Sequence, residues 1–277
     1  MRLSLIPGAG HAFFETTDMN TRATHKTEGF VLKTLSYSDS DLIVTFYTRN
    51  FGKLTAIARG ARKSRKRFVN VLEPFCCSSL LFSRKQRDQL AWLESCQVIN
   101  EFPEIRKSLD RTLLASYLID LVDHFSIEEK PGRELFELLR SFLLLIEEGD
   151  TSERLLRFFE IRHLKLTGYA PALDCCMICK APLNPQQRYV FNIAQGGLHC
   201  RSCYTTPAAP DVLPISVGTI KTLLLGREIE TEKMKRILFS GQTARESKSL
   251  LSLFIGHILG KELKSLKVLD EIQRMGL

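Results

Sequence analysis

The stretch Asp41-Leu42-Ile43-Val44-Thr45-Phe46-Tyr47-Thr48-Arg49-Asn50-Phe51-Gly52-Lys53-Leu54 decides how the first third of the chain folds. Leu42, Val44 and Phe46 alternate with Ile43, Thr45 and Tyr47, the period of two that sends successive side chains to opposite faces of a sheet. Asn50-Phe51-Gly52 then supplies residues tolerant of positive φ, as a tight hairpin requires. Working outward, strand-like segments run from Glu28 to Leu35 before this stretch. After it they cover Lys53 to Arg59, Val71 to Phe82 and Gln89 to Ile99. Five short strands at this spacing suit a small closed barrel of the OB type, whose open face binds oligonucleotides.

Beyond Pro103 the period changes to that of helices. Leu113, Leu114, Tyr117, Leu118, Leu121, Val122 and Phe125 recur every three or four residues, the stripe of a core-facing helix. A second helix is expected from Arg133 to Ile146, ending at Gly149. A third follows Asp150 as its cap, with Glu153 at the third position and Leu155, Leu156, Phe159 and Leu164 inward. Helices resume near Ser216 and again after Thr243, where Thr243 and Glu246 form a capping box ahead of Leu250 to Leu259. The expected fold class is therefore α+β and multidomain. A disordered extension (1–24) precedes an N-terminal five-stranded OB-fold barrel (25–102). The first part of an α-helical domain (103–173) is then interrupted by a zinc-ribbon-like insert (174–210) and completed at 211–277.

The insert is identified by Cys176-x-x-Cys179 and Cys200-x-x-Cys203, two pairs separated by twenty residues. Two residues between thiolates let one tight turn place both sulfurs on the same ion, and two such turns complete a tetrahedron around structural Zn2+. Four thiolates leave no open position for a reactive water. Few large apolar residues lie between Leu173 and Pro210, so coordination stands in for a core. Free thiols or two disulfides are the plain alternatives, and Cys175 and His199 each neighbour a ligand and could replace it. Cys76, Cys77 and Cys96 read as small buried apolar residues.

The chain has 277 residues, a formal charge of +8 and eight cysteines, with 44 % hydrophobic and 25 % charged residues. That is enough apolar matter for real cores. Seven of its cations, Lys53, Arg59, Arg62, Lys63, Arg65, Lys66 and Arg67, fall in the segment 53–67, which holds no carboxylate. Such a concentration points to a polyanion, and to nucleic acid ahead of a membrane because no basic amphipathic helix accompanies it. Tyr37, Tyr47, Phe51 and Phe68 are the nearest candidates for stacking against bases. Lys261, Lys264 and Lys267 form a fainter stripe that suits a solvated helix face. The low cysteine density and metal spacing indicate a reducing, cytoplasmic setting. No stretch approaches the apolar length of a membrane span. The N-terminal apolar run is broken by Pro7, Gly8 and Gly10, so it falls short of a signal peptide, and Met19 is an alternative start.

A search for catalysis returns little. Gly52-Lys53 lacks the earlier glycine of a phosphate loop, Tyr47 standing there, and Leu54 replaces its Ser or Thr. Asp123-His124 are neighbours on one helix and point apart. Glu128-Glu129 and Glu147-Glu148 sit near helix ends, where solvated carboxylates are ordinary. The chain therefore reads as a binding protein and not an enzyme. The rivals are a zinc-containing nuclease and an RNA-binding OB and zinc-ribbon protein of the translation or transcription machinery.

Taken in order, Glu28-Gly29-Phe30-Val31-Leu32, Ser38-Asp39-Ser40-Asp41-Leu42-Ile43, Tyr47 to Leu54, Arg59-Gly60-Ala61-Arg62-Lys63 through Phe68, Leu166-Thr167-Gly168-Tyr169-Ala170-Pro171, and Leu259 to Ser265 resemble the RecO family of bacterial recombination mediators. The resemblance runs from about residue 26 to about 270. It implies an OB-fold, a helical domain and a zinc module. It also implies binding of single- and double-stranded DNA, annealing of complementary strands, and work with RecR and often RecF to load RecA onto DNA coated by single-strand-binding protein. The family's DNA surface includes the basic rim of the OB-fold, which corresponds here to the seven cations named above. Some members lack the cysteines, so zinc is not essential to the shared activity.

Overall fold

The computed structural model describes residues 23–64, 67, 68, 70–84, 90–128, 130–204 and 211–275, and every structural statement below concerns these residues. Five strands, β1 (Ala23–Ser36), β2 (Leu42–Thr48), β3 (Gly52–Ala58), β4 (Cys77–Arg84) and β5 (Ala91–Asn100), close into a barrel in the order β1-β2-β3-β5-β4. This is the OB-fold arrangement expected from the alternation in β2. All seams are antiparallel except β3 against β5. β1 is long because it serves two seams. Its first half pairs with β4 and its second half with β2, and it starts at Ala23, inside the segment expected to be an extension. A bulge between Val31 and Lys33 bends it there, so that Val31 fills the barrel with Val44, Phe46, Leu54 and Leu80 while Leu32 turns toward the helices. The fourth strand begins at Cys77 and not at Val71. Pro74 offers no N–H, and Asn70 and Phe75 take positive φ, so the backbone before Cys77 cannot join a ladder.

The helices are α1 (Pro103–Lys107), α2 (Leu109–Phe125), α3 (Arg133–Glu147), α4 (Glu153–Thr167), α5 (Val217–Glu228), α6 (Gly241–Leu259) and α7 (Lys264–Met275). The inward residues expected of the third long helix, Leu155, Leu156, Phe159 and Leu164, are all buried. The caps differ from expectation. Ser152, not Asp150, accepts the Leu155 N–H at the start of α4, and Asp150 instead holds Ser152. Ser240 caps α6 by accepting from Thr243, one turn earlier than the Thr243 box. That displacement frees Glu246, whose carboxylate accepts the N–H and O–H of Ser216 at the start of α5. Glu147 likewise accepts the Glu104 and Ile105 N–H groups at 3.0 and 2.9 Å, so it supports α1 and is not a solvated carboxylate. Between α4 and α5, β6 (Tyr189–Asn192), β7 (Gly197–Cys200) and β8 (Val212–Ile215) make a small sheet in the order β7-β6-β8, which extends past residue 210. No described helix is long and apolar enough to cross a membrane.

One core runs from the outer side of the barrel through the helices to the small sheet. Phe30 of β1 lies 4.9 Å from the Phe136 ring of α3, and Phe191 of β6 lies 5.5 Å from Phe254 of α6. Polar ties fix the β2–β3 end of the barrel to the same helices. Tyr47 donates to the Gly132 carbonyl at 3.1 Å, and burial pushes its phenol up to about 12. Lys53 Nζ lies 2.6 Å from the Asp123 carboxylate and 2.9 Å from its carbonyl, and Arg49 meets Glu137 at 2.9 Å. Gly52, at φ 64°, turns the hairpin directly beneath Lys130. A Cβ there would run into the Lys130 carbonyl, in a backbone region that L side chains avoid. Gly52→Ala is therefore expected to destabilise the protein by about 2 kcal/mol or more, read as a lowered denaturant midpoint. An unchanged midpoint would show that the hairpin does not press on this connection.

Candidate nucleic-acid interface and metal centre

The barrel end opposite that docking seam carries the basic segment. Past β3 the chain leaves Ala58 through Arg59 and Gly60 into a single 3-10 turn, Ala61–Lys63. The β1–β2 loop holds this turn in place. Asp41 Oδ1 accepts the Gly60 N–H at 2.8 Å, and the Arg62 N–H donates to the Ser40 carbonyl at 3.0 Å. The Gly60 N–H, helped by the Ser40 hydroxyl, holds the Asp41 carboxyl below the usual carboxylate range. Ser64 Oγ accepts the Arg67 and Phe68 N–H groups, and Arg67 reaches back to the Arg59 carbonyl at 2.9 Å. Arg59, Arg62, Lys63 and Arg67 are consequently ordered at the backbone and exposed at the side chain. Arg65 and Lys66 lie outside the described residues.

Lys53 does not join them. Six residue steps along extended β3 put it about 20 Å from Arg59, in the Asp123 ion pair at the docked end. Its charge is already matched by a carboxylate. Of the four aromatic candidates Tyr37 is open, at 60 % exposure, whereas Tyr47 and Phe68 are buried. Phe51 packs edge-on to Phe82 and close to His25. The structure adds two residues that the sequence reading did not single out. The Arg59 guanidinium lies 3.7 Å over the ring of Trp92 at the start of β5, and Arg84 ends β4 beside the N-terminus of β1. Lys264 and Lys267 are exposed on α7, and Lys261 is exposed in the turn before it.

The four cysteines of the two pairs come together. Their sulfurs all lie within 4.8 Å of one another, in a set that includes neither Cys175 nor His199. Cys179 and Cys200 Sγ are 3.8 Å apart, the edge of a tetrahedron with metal–sulfur bonds of about 2.3 Å. Each pair sits in a tight turn. Lys180, at φ 58°, lets its N–H return to the Cys176 carbonyl, and the Cys203 and Tyr204 N–H groups both return to Cys200. Burial opposes ionisation of Cys176, but the N–H groups of Cys200, Cys179 and Ile178 outweigh it and hold that thiol down at about 6. Hydrogen bonding with the Cys200 and Cys179 thiols pushes Cys203 up to about 12. The set is positioned to hold a metal ion. Cys76, Cys77 and Cys96 are buried as expected, and burial pushes Cys77 and Cys96 up to about 12 and about 11.

The architecture has known counterparts. Residues 19–102 match the family described as the N-terminal part of recombination protein O, and residues 106–267 match its C-terminal part. A DNA repair protein RecO of Syntrophobacter fumaroxidans is 35 % identical over 253 residues, 90 % of this chain and 98 % of that protein. Those of Geobacter metallireducens and Anaeromyxobacter sp. (strain K) are each 34 % identical, covering 90 % and 89 % of this chain and 98 % and 96 % of their own length. The barrel and the helical part with its cysteine module are thus matched in the same order over about nine-tenths of the sequence, and the chain belongs to the RecO family of DNA repair proteins.

Proposed function

We propose that this protein is a cytoplasmic recombination mediator that binds single- and double-stranded DNA and anneals complementary strands. With RecR, and RecF where it takes part, it helps load RecA onto DNA coated by single-strand-binding protein. The observation that carries the reading is the cluster of exposed cations, Arg59, Arg62, Lys63 and Arg67, on the barrel end that the helices leave open. Bringing two phosphate backbones together is costly until cations neutralise them. Arginine and lysine that displace condensed counterions supply this without a chemical step. We assign Arg65 and Lys66 to the same surface from the sequence run, and Lys53 to the interior seam.

The metal is proposed to be zinc, because four thiolates in a tetrahedron suit that ion. Cys176, Cys179, Cys200 and Cys203 would hold it, and a fully occupied coordination sphere gives it a folding role. A nuclease reading draws no support from this centre, since no position is open to a water nucleophile.

Annealing of labelled complementary oligonucleotides over a salt series tests the mediator reading. If about six to ten phosphates are contacted, affinity falls roughly 10³- to 10⁵-fold between about 50 and about 200 mM salt. Replacing Arg59, Arg62, Lys63 and Arg67 with Ala is expected to lower the duplex salt slope by about 3 to 4 and to abolish annealing. Lys53→Ala should leave that slope unchanged while lowering stability by about 1–3 kcal/mol. Shortened strands would point to a nuclease, and preference for RNA in competition to the translation or transcription reading. Either result, or a flat salt response, would overturn the proposal.

Elemental analysis checks the metal. About one zinc per chain is expected, and Cys176→Ser or Cys200→Ser should release it along with several of the roughly 10–16 kcal/mol that small zinc modules draw from coordination. Metal-free protein that unfolds at the same temperature as the zinc form would remove the structural role.

A further inference from the structure

Paired residues on neighbouring strands point to the same face, so a barrel carries its outer side chains in rows across the strands. One such row stands out. Leu35 pairs with Ile43, Ile43 with Ile57, and Ile57 with Trp92. The residues flanking these along the chain, among them Val44, Ala56, Ala58, Ala91 and Leu93, fill the barrel interior, so the row faces outward. It crosses four strands, about 14 Å at the usual strand spacing of about 4.8 Å. Ile57 is its buried floor, Ile43 and Trp92 are half-buried, and Leu35 is 48 % exposed. The next row toward the docked end, Lys33-Thr45-Thr55, is polar and ends in an exposed cation. The other flank is the basic turn, with Arg59 lying over the Trp92 ring. The Tyr47 and Lys53 ties to the helices lie at the opposite ends of β2 and β3.

An apolar row with a basic turn along one side and a polar row ending in Lys33 along the other matches a polymer that has flat apolar faces on one edge and regular negative charge on the other. We propose that this row is a base-stacking track for single-stranded DNA, with Trp92 as its main platform and Arg59 as a cover that leaves the ring for a phosphate when a base takes its place. The proposal rests on the DNA-binding reading above and adds to it the residues that distinguish strand types. Stacking on an aromatic face tolerates any base, because every base has a π face. A duplex keeps its base faces stacked on each other and can use only the cations. The exchange at Arg59 is favourable, since the guanidinium gives up a ring for a charged, hydrogen-bonding phosphate. The track thus separates two tasks. The basic turn holds any DNA, and the row recognises an unpaired strand, the substrate that annealing requires.

Trp92 is the single tryptophan of the chain, so intrinsic emission reports the platform alone. The full chain is titrated with oligothymidylate and, separately, with a hairpin duplex carrying the same number of phosphates. Oligothymidylate is expected to quench the emission, and the duplex to bind without quenching. Trp92→Ala should weaken oligothymidylate binding about tenfold and leave duplex affinity and its salt slope unchanged, while Trp92→Phe keeps most of the affinity. Leu35→Ser, at an exposed position, should give a smaller loss confined to the single strand, a second reading should Trp92→Ala fail to fold. Oligothymidylate binding with unaltered emission, or equal losses on both DNAs, overturns the track alone. Failure of the unaltered protein to bind either DNA overturns the DNA reading and the track with it.

Discussion

The β2–β3 hairpin is pinned under the connection between α2 and α3, and the rest of the arrangement follows from that contact. Gly52 has no side chain where Lys130 passes, Tyr47 reaches the Gly132 carbonyl, and Lys53 is taken up by Asp123. An OB barrel has two ends, and this seam closes one of them against protein. The other end keeps the β1–β2 loop and the basic turn in solvent, tied to each other through Asp41 and Gly60. Whether a lysine or arginine here is paired with a carboxylate or left exposed is therefore a matter of which end of a strand it occupies. Lys53 and Arg59, six positions apart, lie at opposite ends of β3, one ion-paired with Asp123 and the other exposed.

The cysteine module serves the same body from the far side. Its turns set β6 and β7, whose Phe191 and Leu198 enter the core shared with Leu251 and Phe254 of α6. A metal held there would stabilise helix packing through the sheet. The charged groups inside the helical part act similarly. Arg157 and Glu160 are both fully buried and 2.9 Å apart, with Tyr117 donating to Glu160 at 2.6 Å. Burial raises the Glu160 carboxyl, and the arginine beside it opposes that rise. Such a pair is costly to break from one side, and the Tyr117 hydroxyl is the tie from α2 to this pair on α4.

Much of the fold is legible in the chain because its signals are local. The alternation in Leu42 to Tyr47, the helical stripe from Leu113 to Phe125 and the two C-x-x-C pairs each need only a few neighbouring residues to be read. What was missed depends on partners distant in sequence. Trp92 gains its place from Ile57, and Arg59 from Trp92, across a parallel seam that no single segment announces. Glu160 faces Tyr117 forty-three residues away, and periodicity alone marks it as a surface charge. Lys53 falls within the basic run in sequence, where closeness along the chain hides the length of an extended strand. Helix starts shifted where Asp150 and Ser152, or Ser240 and Thr243, offered rival caps within one turn.

The proposed division of the barrel into a docked end and a DNA-binding end is tested most directly by amide hydrogen exchange of the full chain with and without single-stranded DNA. The account predicts added protection in the β1–β2 loop, in Arg59 to Phe68 and at the start of β5, with no change from Thr48 to Lys53 or in the α2–α3 connection. Protection concentrated at Gly52, Lys53 and Lys130, with none around Arg59, would contradict it.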